Sequence, residues 1–420
     1  MAQLARARTR RARPRSSWKR RCVKAQAAGE SSWREKLFMQ FGALPLQPGP
    51  LRDTTRRTLV PGQVWCLEQA FGVLDVLVNI RMTLLKLSDG SLLVYAPLAP
   101  TRECRKLVLE LGDVSHIVLP TTAVEHKILF GPFANAFPNA SLWAVPRQWS
   151  WPINLPLSLL GLFPRTANSL NSTDPPFLHE VDVSVLDTPL GLGPFVEAAC
   201  FHKKSRTLLL TDSVIEVQRD PPKVCRIDTR ALTNRARDDK NDVVQPSQDG
   251  LRKGWLKTVL FALYFQPGKV SFNPIDGFTW MDGWFKNAQA VTNKLLVPPI
   301  LQMLVLNKRP SLVAEWVDDM CKRWNFKRVV PAHFGAPINA SPRDLRTAFA
   351  FLPQLQQTKR FPVMPPPVPG KFDRKQSQAD SEVSTKPEFP DEDTAVLKGL
   401  NRLVVASGVI RPEERKDRRK

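Results

Sequence analysis

Glu125-His126, Asp212 and His333 are the residues of this sequence whose types and placement could bind a metal ion. Each follows a short apolar run. His116-Ile-Val-Leu-Pro120 leads into Thr121-Thr-Ala-Val-Glu125-His126. Leu208-Leu-Leu-Thr211 leads into Asp212, and Val329-Val-Pro-Ala332 leads into His333-Phe-Gly335. Apolar runs of this length, bounded by polar or turn residues, read as buried strands. If the three strands lie in one core with their C-terminal ends together, two imidazoles and two carboxylates converge. That donor set suits one Zn²⁺, Mn²⁺ or Fe²⁺ ion. A divalent ion lowers the pKa of a bound water toward neutrality, and Asp212 or Glu125 could then act as general base. Each residue alone has a plainer reading. An Asp at a strand end caps a turn, Glu125 suits the positive end of the helix it opens, and His333 could be a buried histidine bonded to backbone. The metal reading rests on the four together.

The surrounding pattern supplies elements to position them. Asn79–Lys86 and Ser91–Tyr95 read as a hairpin through Ser88-Asp89-Gly90. Thr101–Leu111 and Lys127–Phe137 read as helices, Ser141–Val145 and Glu180–Asp187 as strands. Phe195–His202 and Thr207–Thr211 read as a hairpin around Lys203-Lys204-Ser205. Residues 217–250 are charged and contain proline, which predicts a long loop or insertion. Helical patterns return at 252–266 and 295–323, with a last strand at Arg328–Ala332. Helices alternating with strands and antiparallel hairpins predict a layered α/β fold with mixed sheets.

Several motifs carry a resemblance. The order strand, loop, Glu125-His126, helix and Phe137-Pro-Asn-Ala140 resembles the metal-loop region of the metallo-β-lactamase superfamily, where the loop reads His-x-His-x-Asp-His. Thr188-Pro189 with the following hairpin and Asp212 resembles its Thr-Pro-Gly-His segment and bridging Asp. Ala332-His333-Phe-Gly335 resembles its final Ser-His-Gly. More narrowly, Glu125-His126-Lys127, Gln148-Trp149-Ser150-Trp151-Pro152, Arg252-Lys253-Gly254-Trp255 and Pro331-Ala332-His333-Phe334 resemble a family of plants, algae and cyanobacteria within that superfamily, a domain of unknown function. The resemblance spans about Leu44 to Leu352 and implies an αβ/βα sandwich over residues 44–353.

It also implies a depleted site. The superfamily's first two loop histidines fall on Thr121 and Ala123, and the histidine of Thr-Pro-Gly-His falls on Gly191 or Leu190. Threonine, alanine and glycine offer no imidazole, so the first metal position is lost. The second keeps His126, Asp212 and His333, with Glu125 in place of Asp. The implied protein has at most one divalent metal. Three other histidines are set aside. His202 lies about six residues up the partner strand from Asp212, or roughly 20 Å at about 3.3 Å per residue. His116 is at the wrong end of its strand, and His179 follows Pro175-Pro176 in a loop. The tryptophan-rich stretch 146–156 could line a cleft with Arg147 and Gln148 as polar contacts, and reads better as a plug.

Charge and composition bound the rest. The 420 residues carry a formal charge of +22, of which +10 lies in residues 1–29 and +4 in the last twenty. The basicity is therefore mostly terminal, and nucleic-acid binding is not expected except through a basic tail. Residues 1–25 are Arg-rich and acid-free, and Val23-Lys24-Ala25 resembles a plastid processing site. This predicts a transit peptide to the chloroplast, with the mitochondrion as second choice. Residues 26–43 would link it to the domain. Six dispersed cysteines without a CxxC pair predict no disulfide framework. No apolar run approaches the length of a membrane span. The tail from 354 to 420 is Pro-rich, then charged, which predicts disorder apart from a short amphipathic helix around Thr394–Val405. The expected function is that of a single-metal hydrolase of unknown substrate. The alternative is a non-catalytic module that binds a small molecule or a protein.

Overall fold

A computed structural model describes residues 46–47, 53–73, 76–148, 166–171, 174–190, 193–275, 277–353, 388–408 and 410. The chain first lays down β1 (Leu46–Gln47), β2 (Thr54–Val60), β3 (Val64–Val73), β4 (Val76–Lys86) and β5 (Leu92–Tyr95). It continues through α1 (Arg102–Leu109), β6 (Val114–Leu119), α2 (Val124–Ala136), β7 (Ser141–Ala144) and β8 (Asn168–Ser169). These strands form one sheet in the order β1-β3-β4-β5-β6-β7-β8, with β2 along β3. The meander β2 to β5 is antiparallel and β5 to β8 are parallel, with α1 crossing from β5 to β6 and α2 from β6 to β7. The hairpin expected at Ser88-Asp89-Gly90 is β4–β5, paired from Thr83↔Tyr95 to Lys86↔Leu92.

A second sheet follows from β9 (Val181–Thr188), β10 (Phe195–His202) and β11 (Thr207–Leu209), with β10–β11 the expected hairpin. After it come β12 (Ile215–Glu216), α3 (Arg230–Ala236), α4 (Gln248–Tyr264), β13 (Val270–Asn273), β14 (Gly277–Trp280), α5 (Trp284–Val291), β15 (Leu295–Leu296), α6 (Pro299–Leu304) and α7 (Pro310–Arg323). The last strand, β16 (Arg328–Val330), closes the second sheet in the order β16-β11-β10-β9 and runs parallel to β11. α8 (Pro342–Ala348) and α9 (Asp391–Ala406) complete the described chain.

Side-chain alternation along the strands creates the layers. In β6, Ile117 and Leu119 face α1 and α2 through Cys104, Val108, Leu129 and Phe130, whereas Val118 faces the other way. In β10, Ala199 and Phe201 face α7 and α8, whereas Val196, Ala198 and Cys200 meet Val118, Tyr95 and Trp143 of the first sheet. Each sheet is thus apolar on both faces, one against helices and one against the other sheet. The result is the αβ/βα sandwich with mixed sheets that the resemblance implies.

Residues 217–250, expected as a long loop or insertion, carry short helices between irregular segments. They contain a 3-10 turn (Lys223–Arg226), α3 and the start of α4. Val224, Cys225, Leu232 and Ala236 are buried with Trp255, Leu256 and Val259 of α4. Gly254 permits the contact: a Cβ there would meet the Leu232 carbonyl oxygen at 1.9 Å. Some of the segment's charges are paired with α4. Arg252 reaches Asp220 at 2.9 Å, and Lys253 and Lys257 both reach Asp238 at 2.6 Å. Helical periodicity was hidden because these helices bury paired charges along with apolar groups.

The tail, expected to be mostly disordered, holds α9 where the short amphipathic helix was expected, one turn longer at its N-terminus. Asp393 accepts a hydrogen bond from the Gly268 amide at 2.7 Å, Asn287 donates to Glu392 at 2.8 Å, and Leu397 is fully buried in the cluster around α4. The expected transit peptide (1–25) and linker (26–43), and residues 354–387, 409 and 411–420 of the tail, lie outside the described residues. No described helix is long and apolar enough to cross a membrane, and all five described cysteines are free.

Candidate metal centre

The parallel pair β11 and β16 brings two of the four residues together. Leu209 pairs with Val330, and the Ala332 amide donates to the Thr211 carbonyl at 3.1 Å. The strands therefore end side by side, and Asp212 and His333 emerge next to one another, with His333 Nε2 3.3 Å from Asp212 Oδ1. The first sheet supplies the other two. β6 ends at Pro120, whose carbonyl accepts from the Ala198 amide of β10 at 2.7 Å, and Thr121 forms an antiparallel bridge with Glu197. The loop then turns into α2, and its first turn carries Glu125 and His126. His126 Nε2 stands 3.8 Å from Asp212 Oδ1, and the two imidazole centroids are 5.2 Å apart. One donor atom from each of Glu125, His126, Asp212 and His333 lies within 4.8 Å of the others. The expected convergence of strand ends is present.

The second histidine is oriented from the first sheet. Its Nδ1 lies 3.0 Å from the Asn79 carbonyl. A carbonyl can only accept, so Nδ1 carries the proton and Nε2 is left to face Asp212. The Asn79 side chain also accepts from the Phe334 amide at 2.9 Å and donates to the Phe334 carbonyl at 3.0 Å. Arg81, fully buried, donates to the Pro331 and Phe334 carbonyls and pairs with Glu68 at 2.6 Å. Two residues of β4 thus hold the 331–334 segment on both sides of His333.

Charge within the cluster is self-consistent. Burial opposes ionisation of Asp212, but the two imidazoles beside it win and hold its carboxyl well below the usual carboxylate range. Burial likewise pushes His333 down, and the hydrogen bond and charge of Asp212 overcome this and raise it above the ordinary histidine value. At 3.8 Å the His126–Asp212 approach is an ion contact and too long for a hydrogen bond.

The residues fit a metal ion. His126 is fully buried, and neither of its ring nitrogens has a hydrogen-bond partner; Asp212 Oδ2 is buried without one as well. Buried polar atoms are rarely left unsatisfied, and each costs about 1–3 kcal/mol. These three orphaned atoms lie in the one group of metal-ligating side chains found among the described residues. Two imidazoles and two carboxylates would satisfy a borderline divalent ion.

Glu197 is the participant that sequence reasoning missed. It lies in the middle of β10, fully buried, and its carboxylate accepts from the Thr211 amide at 2.6 Å, the Ser213 amide at 3.1 Å and the Ser213 hydroxyl at 3.1 Å. Burial and then the charge of Asp212 push its carboxyl above the ordinary value, opposed by hydrogen bonds from Thr211 and Ser213. The available signal was a single acid inside an otherwise uncharged strand, Phe195–His202.

The remaining histidines are elsewhere, as expected. His202 is buried at the far end of its hairpin with Nδ1 2.7 Å from Ser205 Oγ. His116 accepts from the Trp143 indole at 3.3 Å, and His179 contacts the Pro176 carbonyl at 2.8 Å. Thr121 is fully buried. In the stretch read as a cleft or a plug, Arg147 pairs with Asp187 at 3.1 Å and Gln148 donates to the Thr121 carbonyl at 3.1 Å. Residues 149–165 and Gly191 lie outside the described residues.

The family profile of a domain of unknown function (DUF4336) matches residues 61–351. The chain belongs to the DUF4336 family. No curated protein matches it. Solved structures similar to the DUF4336 chain include the DIM-1 metallo-β-lactamase, at 9% identity and TM-score 0.35 over 71% of this chain and 97% of that one. The metallo-β-lactamase from Pontibacter korlensis has 9% identity and TM-score 0.36 over 71% and 99%. The Flv1 flavodiiron core from Synechocystis sp. PCC6803 has 10% identity and TM-score 0.38 over 74% of this chain and 63% of that one. At such scores these likenesses carry no weight by themselves. The sandwich and the cluster of the DUF4336 domain stand on its own strand order and distances.

Proposed function

We propose that the DUF4336 domain holds one divalent metal ion on Glu125, His126, Asp212 and His333 and acts as a single-metal hydrolase. The observation that carries the reading is His126, buried with both ring nitrogens unbonded and facing Asp212 and His333. A divalent ion there would supply Lewis acidity, polarising a carbonyl or phosphoryl group and making water more nucleophilic. The chain's own residues do the rest. Asp212, kept ionised by its two imidazoles, is suited to be a ligand and is a weak base for the same reason. Glu125 is partly exposed on the first turn of α2 and is the better placed to take a proton. Asn79 keeps His333 in the tautomer whose Nε2 lone pair faces the centre.

A second reading is favoured by the low exposure of the cluster, 16% for the Asp212 side chain and 12% for His333. Here the ion pins the two sheets together in a non-catalytic binding module. Metal analysis of the purified protein tests the shared premise: one equivalent is expected, lost in His126→Ala and His333→Ala. Hydrolysis of ester, thioester or phosphoester panels that depends on that equivalent and on Glu125 separates the readings. The acid-free N-terminus supports a further part of the proposal, that the protein acts in a plastid. N-terminal sequencing of the native protein near residue 25 tests it.

A further inference from the structure

The lost first-metal position leaves a mechanical question: what fixes the loop of His126 relative to the turn of Asp212. We propose that Glu197 is the positioning residue of the single-metal centre, an internal clamp that joins the two ligand-bearing segments. The inference rests on the metal reading above.

Glu197 reaches both segments at once. Its backbone bridges Thr121, with Ala198 donating to the Pro120 carbonyl at 2.7 Å and Thr122 donating to the Val196 carbonyl at 3.1 Å. These bonds anchor the start of the loop that runs into Glu125 and His126. Its side chain grips the other segment. Oε1 accepts from the Thr211 amide at 2.6 Å and the Ser213 hydroxyl at 3.1 Å, and Oε2 accepts from the Ser213 amide at 3.1 Å. Thr211 and Ser213 flank Asp212, so the amides before and after the ligand are both held by one carboxylate. Asp212 has no freedom to turn away from His126 and His333 without breaking bonds to a buried acid. The arrangement suits a carboxylate and no other side chain of its size. Three donors point at two oxygens, and glutamine would place an NH₂ against one of them. A buried charge held in an uncharged strand is costly unless it is hydrogen-bonded, and here the hydrogen bonds all serve the Asp212 turn. Groups that orient metal ligands from behind typically contribute 10–100-fold in metal affinity.

The test is metal titration of the full chain with Co²⁺ and with Zn²⁺ against a competing chelator. Wild type, Glu197→Gln and Ser213→Ala are compared with Gln69→Met as a stability control. Gln69 is buried on β3, across β4 from the His333 segment, and its side chain bonds Thr54 and the Ala99 carbonyl rather than that segment. Glu197→Gln is expected to weaken binding of the single equivalent by about tenfold or more and to change the visible spectrum of bound Co²⁺. Ser213→Ala, which removes one donor and keeps the fold if Glu197→Gln does not, should weaken binding less, with a smaller spectral change. Gln69→Met should lower the melting temperature and leave affinity and spectrum unchanged. If Glu197→Gln and Ser213→Ala both keep wild-type affinity and spectrum, the clamp is overturned while the metal site stands. A drop matched by Gln69→Met reduces Glu197 to general stability and also overturns it. A wild-type protein that takes no metal overturns both the proposed function and the clamp.

Discussion

Asn79 on the first sheet and His333 beyond the second are joined by one hydrogen bond, beside two more from Asn79 to Phe334. The Asn79 carbonyl accepts from His333 Nδ1 at 3.0 Å, and its side chain both accepts from and donates to the next residue, Phe334. Ile80 and His333 form a backbone bridge beside it. The contact crosses about 250 residues of sequence. It ties the meander that opens the domain to the strand end that completes the cluster, so the geometry of the site depends on how the two sheets dock.

Asn79→Ala should therefore harm both stability and the site. It strands the amide of Phe334 in the interior, whereas the Phe334 carbonyl keeps Arg81 as a donor. A loss of about 1–3 kcal/mol in urea unfolding is expected, the cost of one unsatisfied buried group. The His333 bond runs to the Asn79 backbone, so metal binding should weaken without vanishing. Wild-type affinity in a destabilised Asn79→Ala protein would show that the Asn79 side chain takes no part in orienting His333.

The shifts in the cluster fix the sign of a pH effect. In metal-free protein the His333 value lies above its unfolded value of 6.5, so its contribution is complete below 6.5 and is lost as pH rises through the raised value. The Asp212 value lies below 3.8, so its contribution is present above 3.8 and is lost as pH falls through the depressed value. The pair should thus support chelator-treated protein best between about 3.8 and 6.5. Metal affinity should run the other way, rising with pH as His333 gives up its proton. Urea unfolding with chelator at several pH values, compared with His333→Gln, measures the first trend. Calorimetric metal titration in buffers of different protonation enthalpy measures the proton released. Affinity independent of pH across this range would remove His333 from the ligand set.

Much of the centre was legible because strand-end chemistry is local. Glu125-His126, Asp212 and His333 each follow an apolar run within a few residues, and β6, β11 and β16 fall where those runs predict them. What was not legible is long-range. Glu197 looks like an ordinary acid until Thr211 and Ser213 are folded onto it, and Asn79 like an ordinary strand residue until Phe334 arrives. The short helices within residues 217–250 were hidden for a different reason. Some of the charges there are paired, as Asp238 is with Lys253 and Lys257, and a composition rule cannot tell a paired charge from a solvated one. Even there the Arg252-Lys253-Gly254-Trp255 motif held the clue, since a glycine amid long side chains marks a close approach.

That approach gives a separate prediction. Gly254→Ala would drive a methyl group into the Leu232 carbonyl at 1.9 Å, and only separation of α3 from α4 relieves it. Overpacking of this kind costs about 1–3 kcal/mol or more. The clash lies in the cluster built by α3, α4 and α9, which contains none of Glu125, His126, Asp212 and His333 and borders them through Trp255 against Phe334. A lowered melting temperature with unchanged metal stoichiometry is expected. Loss of metal together with stability would show that the inserted region and the centre fold as one unit.

The last prediction concerns the metal that should not bind. Two-metal hydrolysis uses a paired site in which both ions position the substrate and its attacking water. The resemblance puts the first ion's histidines on Thr121, Ala123 and Gly191 of this chain. Thr121 is fully buried, and its hydroxyl accepts from the Ala123 amide at 3.1 Å, so this side chain closes the loop locally. No described histidine can substitute. His202 is bonded to Ser205 at the other end of its hairpin, His116 is bonded to the Trp143 indole, and His179 is held at the Pro176 carbonyl. Purified protein loaded with excess Zn²⁺, Mn²⁺ or Fe²⁺ and then desalted should therefore retain one equivalent. Turnover of lactam or thioester substrates should not increase with a second. Replacing Thr121 and Ala123 together by histidine returns two of the three missing ligands, and a gain of a second, weaker equivalent is expected. Two tightly held equivalents in the unaltered protein would mean that the first-site ligands come from residues other than those the resemblance aligns.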